Sequence, residues 1–303
     1  MPIRFGLAGT GYWAEEIHLP TLSSFNGIEL VGIWGRNAAR TDALAATFGI
    51  KAYRRFEDLI DAVDAVAIAV APEAQPELAQ LAARAGKHLF LEKPLATSIE
   101  GAMRVDQATD AAGVASIVFF MRRFVPVLET ALDALRGENW QSCRVRMLSA
   151  TLVPGSPYEK SAWRNVAGSA LWDIGPHVLS ILDPILGRVQ NVSATRRDHT
   201  VHLTLEHASG ACTSVELSLH ADPKDAAAEY IFTGARGEAQ LPAFVFSRES
   251  RRDACARAIA ALMESIASGK RDHPCNAHFG ARGVPVLVAA EQSIKNGKSY
   301  ELL

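Results

Sequence analysis

Cysteines and long apolar runs are both scarce in this chain of 303 residues. The four cysteines are widely spaced, with no Cys-x-x-Cys pair and no cysteine–histidine spacing typical of zinc sites, so neither a disulfide framework nor a metal ion is expected. The longest apolar run, VAIAVA, is far too short to cross a bilayer, and the run after Met1 is too short for a signal peptide. We therefore expect a reduced, cytoplasmic protein without a membrane partner.

The chain also lacks an excess of charge of either sign. Lys plus Arg number 31 and Asp plus Glu number 33, which gives a formal net charge of −2. Proteins that bind nucleic acid or anionic membranes usually carry a basic surface, and this balance predicts neither partner. With 49% apolar residues, the chain is instead typical of a globular protein, long enough for two domains, whose partner is a small-molecule substrate.

What the sequence does contain is a regular alternation of apolar runs and helical patterns over the first 120 residues. Near-continuous apolar runs are typical of strands buried on both faces of a parallel sheet. The intervening segments have helical apolar spacing and end at glycines suited to C-caps. This alternation predicts an α/β fold with a doubly wound parallel sheet. The predicted strands are residues 3–9, 29–35, 65–71, 88–92 and 116–121.

The first predicted strand ends in GLAGTGYWA, which has the spacing Gly9-x-Gly11-x-x-Ala14. In a dinucleotide-binding turn the first glycine permits the sharp turn and the second lets the backbone approach a pyrophosphate, while a small third residue keeps helix and sheet close. The helix that follows offers its N-terminal amides to the phosphates. Because the motif follows a strand and opens a helix, it predicts a Rossmann domain that binds a dinucleotide.

The end of the second predicted strand indicates which dinucleotide is bound. Enzymes that use NAD usually place an acidic residue there to hold the ribose hydroxyls. This chain has Gly35 at that point, then Arg36 and Asn37, with Arg40 one helical turn on and no acid before Asp42. An arginine can hold the 2′-phosphate of NADP, so the sequence favours NADP, with NAD as the other possibility. The alternative is that both arginines are simply exposed residues at a helix start.

Four segments of the chain resemble the Gfo/Idh/MocA family of oxidoreductases, named for glucose–fructose oxidoreductase, inositol dehydrogenase and a rhizopine-catabolism protein. They are GLAGTGYWA, AGKHLFLEKPLA, MRRFVP and SAWRNVAGSALWDIGPH. The resemblance covers nearly the whole chain and implies an NAD(P)-binding Rossmann domain followed by an α/β domain with an open, mostly antiparallel sheet. We place the first at residues 1–121 and the second, for substrate binding and oligomerisation, at residues 122–303. Alternating strand patterns in the second half agree with this.

The resemblance also implies that Lys93, Asp173 and His177 are catalytic. Lys93 follows a strand of the doubly wound sheet at the edge where ligands bind, so its ammonium can exchange a proton with the reacting oxygen. His177 would share the proton transfer or hold that oxygen, and Asp173 would orient it or bind a substrate hydroxyl. We favour Lys93 as the principal acid/base. The resemblance further implies a cis Lys93–Pro94 bond, and Pro176 in a first helical turn would place Asp173 near the helix cap, on the same face as His177.

The predicted cofactor contacts come from the glycine turn and from the ends of the later strands. The residues predicted to bind the cofactor are Gly9, Gly11, Tyr12, Trp13, Arg36, Asn37, Arg40, Ala71, Glu92 and Lys93.

Two positions depart from the family pattern. Ser180 stands where an acid often follows the histidine, and Pro76 stands where a histidine often occurs. Both departures leave a specific sugar or cyclitol substrate unassigned.

The expected function is hydride transfer between NADP and a carbonyl or secondary alcohol of a sugar, cyclitol or related small polyol, by a homodimer or homotetramer. One alternative is a dehydrogenase of a less polar, diol-type substrate, suggested by Ser180 and by the aromatic residues Tyr158, Trp163 and Trp172. Another is a regulatory protein that senses NADP without chemistry. The intact Lys93 and the D-x-G-x-H histidine argue against the second alternative.

Overall fold

A computed structural model describes residues 1–302, and the chain divides into two units. The first combines Met1–Phe124 with Phe246–Ala281, and the second combines Val125–Val245 with the chain from Arg282 onward. The predicted boundary lies close to the first of these divisions. Residues 246–281, which the sequence analysis assigns to the second domain, belong to the first unit. The sequence shows that this segment is helical but not which apolar surface its buried side meets.

A parallel sheet forms the centre of the first unit. Its strands are β1 Ile3–Ala8, β2 Ile28–Trp34, β3 Lys51–Tyr53, β4 Ala65–Ile68, β5 His88–Leu91 and β6 Ser116–Val118. They lie in the order β3-β2-β1-β4-β5-β6, and all neighbouring pairs run parallel. The doubly wound sheet is therefore confirmed. The sequence analysis does not predict β3, because three residues carry too little periodicity to be recognised.

Helices connect the strands of the first unit. They are a π-helical turn Ala14–His18 that continues as α1 Leu19–Ser24, then α2 Ala38–Phe48, α3 Phe56–Asp61, α4 Gln75–Arg84 and α5 Ile99–Ala112, and a 3₁₀ turn Met121–Phe124 follows β6. Both α2 and α5 begin at a side-chain cap and end at a glycine with positive φ, as their sequences indicate.

Gly9 and Gly11 have different steric environments in the turn after β1. Gly9 has a φ of +127°, and a Cβ at this position would lie 2.1 Å from the carbonyl oxygen of Ala69. Its N–H donates to the Trp34 carbonyl over 2.8 Å, which joins the turn to the end of β2. A Cβ at Gly11 would meet no atom within 4 Å, so its backbone is open to an approaching group. This cradle fits the pyrophosphate of a dinucleotide.

The second unit contains a sheet of seven strands. They are β7 Trp140–Leu148, β8 Val189–Arg197, β9 Thr200–His207, β10 Cys212–Ser218, β11 Ala227–Gly234, β12 Gly237–Gln240 and β13 Tyr300–Glu301. Their order is β12-β11-β7-β10-β9-β8-β13, and among the described pairs of this sheet only β7 and β10 run parallel. The predicted open and mostly antiparallel sheet is confirmed.

One face of this sheet is apolar and buried, and the other is polar. Along β9 the side chains of Val201, Leu203 and Leu205 join the core, whereas His202 and Thr204 are exposed. The helices later in the chain are α6 Pro126–Leu135, α7 Ser169–Asp173, α8 Gly175–Leu186, α9 Arg248–Ser268 and α10 Ala277–Asn296. Leucines of α6 and α8 belong to the same apolar core. No helix of the described chain is long and apolar enough to span a membrane.

Candidate functional site

The segment Glu92-Lys93-Pro94 directly follows β5, at the carboxyl edge of the parallel sheet. Ligands of doubly wound folds bind beyond this edge. The Lys93–Pro94 peptide bond is cis, as the family resemblance implies, and Lys93 is partly buried. The backbone N–H of Glu92 lies 3.3 Å from the Ile68 carbonyl oxygen, which extends the hydrogen bonding between β4 and β5 as far as Glu92. Lys93 therefore emerges directly from the end of the sheet.

Two buried polar side chains that the sequence analysis does not single out contact this segment. His18, the last residue of the π-helical turn, places Nε2 2.7 Å from Glu92 Oε1. Gln75, the first residue of α4, hydrogen-bonds the backbone of Glu92 through both atoms of its amide. A polar residue at either end of a helix is a weak sequence signal, because such residues are common there. Only the folded chain identifies their partners.

His18 has no solvent-exposed side-chain surface, yet it lies beside a carboxylate. Burial alone would lower its pKa, but interactions with Cys255 and Glu92 outweigh burial and raise the pKa from 6.5 to about 10. Its Nδ1 has no partner in hydrogen-bond geometry within residues 1–302, and its close charged contact among these residues is Glu92 Oε1. His18 is therefore an imidazolium at neutral pH and forms a buried ion pair with Glu92.

The residues predicted to select the cofactor differ in their contacts. Asn37 caps α2 by accepting the Arg40 N–H over 3.0 Å. Arg40 donates to the Thr10 carbonyl and lies 2.6 Å from Glu15 Oε2, so its charge is balanced within the protein. Arg36 is exposed and makes no hydrogen bond or ion pair with any described residue. Of the two arginines that the sequence offers for a 2′-phosphate, only Arg36 has a guanidinium without a partner among the described residues.

The position before Arg36 is a closely packed glycine. A Cβ on Gly35 would lie 2.6 Å from Thr10 Cγ2, in the glycine turn. A larger residue at this position would therefore require the Thr10 side chain to move. The chain has no acidic side chain here of the kind that usually holds the ribose of NAD at the end of the second strand.

Three further predicted cofactor residues lie at the same edge of the sheet. Tyr12 and Trp13 follow the glycine turn, and both are partly buried. The ring of Trp13 packs edge-on against Phe119 at a centroid distance of 6.4 Å. Ala71 follows the end of β4 and accepts a hydrogen bond from Ala74 N.

The described chain contains no group of three or more side chains that could hold a metal ion.

Pro176 lies in the first turn of the helix that carries His177, as the sequence predicts, but Asp173 belongs to a separate short helix before it. Asp173 is the last residue of α7, Ile174 interrupts the helix, and α8 begins at Gly175 with Pro176 in its first turn. Proline has no N–H to continue the α7 hydrogen bonds, which explains the break. His177 is buried, and its N–H donates to the Ile174 carbonyl over 3.1 Å. Asp173 is therefore not a cap of the helix that carries His177.

Asp173 is paired with an arginine instead. Arg164 Nε lies 2.9 Å from Asp173 Oδ2 and Nη2 lies 3.2 Å from Oδ1, and both side chains are buried. The guanidinium carbon lies 4.0 Å from the ring centroid of Trp163 and 4.5 Å from that of Tyr158. A two-point hydrogen bond supported by cation–π contacts fixes the direction of the Asp173 carboxylate. Asp173 is thus suited to bind or orient a group rather than to exchange protons.

The pair formed by Arg164 and Asp173 also involves aromatic residues that lie close to it in the sequence. Tyr158 and Trp163 contact the Arg164 guanidinium, while Trp172 packs against the apolar core of the second unit. Ser180, where the family often has an acid, is buried and donates to the His177 carbonyl over 2.8 Å. These contacts give the aromatic residues and Ser180 partners within the protein.

The chain resembles known proteins in both sequence and structure. A sequence model described as an oxidoreductase family with an NAD-binding Rossmann fold (Gfo/Idh/MocA) matches residues 3–120, and the model of the Gfo/Idh/MocA C-terminal domain matches residues 142–240. The chain is 29% identical over 226 residues to D-xylose 1-dehydrogenase (NADP(+)) 2 of Haloferax volcanii, with 71% of this chain and 69% of that protein covered.

Other matches are partial or show the fold alone. An uncharacterized oxidoreductase of Rhizobium meliloti is 29% identical over 181 residues, which cover 59% of this chain and 54% of that protein. The chain thus spans about half the length of that relative. A scyllo-inositol dehydrogenase from Lactobacillus casei, solved with NAD(H) and scyllo-inositol, superposes with a TM-score of 0.85 at 18% identity, covering 99% of both chains.

The His18–Glu92 ion pair predicts a particular dependence of stability on pH. Because the pKa of His18 is raised on folding, its contribution is complete below about pH 6.5 and is lost as the pH rises towards 10. Urea unfolding between pH 6 and pH 10 should show a fall in the free energy of unfolding of about 1 kcal/mol per pH unit that His18→Gln lacks. The exposed histidine variant His278→Gln should retain the wild-type slope. Equal slopes for wild type and His18→Gln would contradict the ion pair.

Proposed function

The chain belongs to the Gfo/Idh/MocA family of NAD-binding oxidoreductases, and we propose that it transfers a hydride between NADP and a CH–OH carbon of a sugar, cyclitol or related small polyol. The observation that carries the proposal is the position of Lys93, partly buried at the carboxyl edge of the sheet whose glycine turn forms the dinucleotide cradle. The xylose dehydrogenase of Haloferax volcanii supports both the substrate class and the choice of NADP.

The nicotinamide ring, when bound, supplies or accepts the hydride, and the protein must manage the proton on the reacting oxygen. The Lys93 ammonium gives that proton during carbonyl reduction and recovers it during alcohol oxidation. His177 donates a hydrogen bond to the same oxygen or shares the proton. Asp173, held as an anion by Arg164, accepts a hydrogen bond from a neighbouring substrate hydroxyl. A polyol offers such a hydroxyl, which favours this substrate class over a simple alcohol.

A turnover screen tests the proposed activity. NADP⁺ and NADPH are incubated with sugars, cyclitols, diols and their carbonyl forms, and absorbance of the reduced nicotinamide is followed. We expect turnover concentrated among polyhydroxylated substrates. A protein that binds NADPH but oxidises it with no member of the panel would favour cofactor sensing without chemistry.

Arg36→Ala tests the choice of cofactor. If Arg36 contacts the 2′-phosphate, this variant should lose about 1–3 kcal/mol of NADPH affinity and keep its NADH affinity, because only NADPH carries that phosphate. Titration of nicotinamide fluorescence measures both affinities. Arg55→Ala, which removes another exposed arginine of the same unit, is the control. Equal wild-type affinities for NADPH and NADH, or an NADPH affinity that Arg36→Ala leaves unchanged, would rule out the assignment.

Lys93→Met tests the proton transfer. Positioned acid–base catalysis is worth about 10²–10⁴-fold, so turnover should fall by that factor while NADPH binding persists. Lys87→Met is a matched control, because Lys87 lies at the opposite end of β5 from Lys93. Its ammonium donates a hydrogen bond to the Val63 carbonyl. Wild-type turnover by a folded Lys93→Met protein that binds NADPH would show that the EKP segment is only a charged turn.

Self-association through the polar face of the second unit's sheet is a further part of the proposal. On this face Arg146 lies 3.2 Å from Glu216 and 3.3 Å from Glu229, a charge arrangement that a second copy can complement. We expect a homodimer or homotetramer by light scattering at micromolar concentration. Thr204→Arg, in the exposed row of β9, should weaken self-association, whereas Glu77→Arg on α4 should leave it unchanged. A wild-type protein that is only monomeric would contradict the proposal.

A further inference from the structure

The amide of Gln75 is almost completely buried, with 1% of the residue exposed. A buried amide is unfavourable unless its donors and acceptor are paired. Gln75 occupies the first position of α4, and Pro76 follows it in the first turn of that helix. The backbone of Gln75 is therefore held by the helix, and its side chain is directed into the interior of the first unit.

All hydrogen bonds of this amide go to the backbone around Lys93. Gln75 Oε1 accepts the Glu92 N–H over 2.9 Å, and Nε2 lies 2.6 Å from the Glu92 carbonyl oxygen. The same nitrogen lies 3.0 Å from the Pro94 carbonyl oxygen and 3.2 Å from that of Leu95. The amide thus pairs with Glu92 as a neighbouring strand would, and it also holds the chain on the far side of Lys93.

This arrangement fixes the backbone on both sides of one residue. β5 ends at Leu91, so beyond Glu92 no strand pairing holds the chain. From the first turn of α4, Gln75 hydrogen-bonds the backbone of Glu92 and of Pro94. These two residues are the neighbours of Lys93 in the chain. A group that exchanges a proton must be placed closely, since a displacement of about 1 Å can cost about 100-fold in rate. The direction of the Lys93 side chain depends on the position of its Cα.

We propose that Gln75 is a positioning residue that sets the place of the Lys93 ammonium in the active site. The inference rests on the proposed function, in which Lys93 exchanges a proton with the substrate oxygen. A purely structural role for Gln75 makes a different prediction: its replacement would lower stability but leave the surroundings of the Lys93 ammonium unchanged in the protein that still folds.

Gln75→Glu tests the proposal with almost no change in shape. The introduced carboxylate still accepts the Glu92 N–H but cannot donate to the carbonyl oxygens of Glu92 and Pro94. Gln80→Glu is the matched control, because Gln80 lies on the same helix and makes no hydrogen bond to the segment. In Gln75→Glu we expect kcat to fall by about 10–100-fold with KM and NADPH affinity changed less than about threefold.

The pH profile separates positioning from general damage. Burial raises the pKa of a carboxyl group, so the introduced group should gain a proton as the pH falls and recover one donor. The ratio of Gln75→Glu to wild-type kcat should therefore rise towards 1 at lower pH. A ratio that stays constant across the pH range would contradict the proposed role.

A measurement that needs no substrate distinguishes this inference from the proposed function. Lysines are labelled by reductive ¹³C-methylation, and the Lys93 signal is identified by its absence in Lys93→Met. We expect its chemical shift or titration midpoint to change in Gln75→Glu and not in Gln80→Glu, with NADP⁺ bound. An unchanged Lys93 signal in folded Gln75→Glu would overturn the positioning role, whereas failure of the turnover screen alone would bear only on the activity.

A second variant covers loss of folding. Gln75→Met keeps the length of the side chain and removes both hydrogen-bonding groups, so it provides the same NMR comparison if Gln75→Glu does not fold. If neither variant accumulates as a folded protein, Gln75 is a structural residue and the proposal is overturned.

Discussion

The hydrogen bonds that hold the chain around Lys93 are the constraint on which the account of this protein depends. Sheet pairing reaches only to Glu92, and beyond it a helix side chain, Gln75, continues the pairing on both sides of the lysine. The Glu92 side chain is held separately, by the buried imidazolium of His18. A lysine side chain has four rotatable carbon–carbon bonds, so a backbone that also moved would leave the position of its ammonium still less defined.

The same edge of the sheet determines how a dinucleotide can be held. Gly9 has to be glycine because the end of β4 lies directly behind it, whereas Gly11 presents an open backbone. Arg40 and Glu15 tie α2 to the glycine turn and the helix after it, and Arg36 keeps its guanidinium available. Arg40 therefore maintains the turn, whereas Arg36 can contact a ligand. In the second unit, Arg164 has the first kind of role, because it fixes the charge and direction of Asp173.

Much of this arrangement can be predicted from the sequence because it depends on local patterns. The apolar runs predict the parallel strands, the glycine spacing predicts the turn, and the resemblance around LEKPLA implies the cis Lys93–Pro94 bond. What the sequence does not reveal are pairings between distant residues. His18 and Glu92, Gln75 and Pro94, and the return of residues 246–281 to the first unit all depend on which surfaces meet on folding. Pro176 predicts the start of α8, but the sequence does not reveal the short α7 that ends at Asp173 just before it.

In the proposed reaction a hydride passes directly between the nicotinamide and a substrate carbon, and Lys93 exchanges the proton on the oxygen. The most direct test is a single-turnover reaction with NADPH that carries deuterium at the transferring position of the ring, using a carbonyl substrate found by screening. Mass spectrometry of the product should show one deuterium on the carbinol carbon, retained after exchange in light water, with the hydroxyl proton drawn from solvent. Product without deuterium on carbon, formed while NADPH is consumed, would contradict direct hydride transfer.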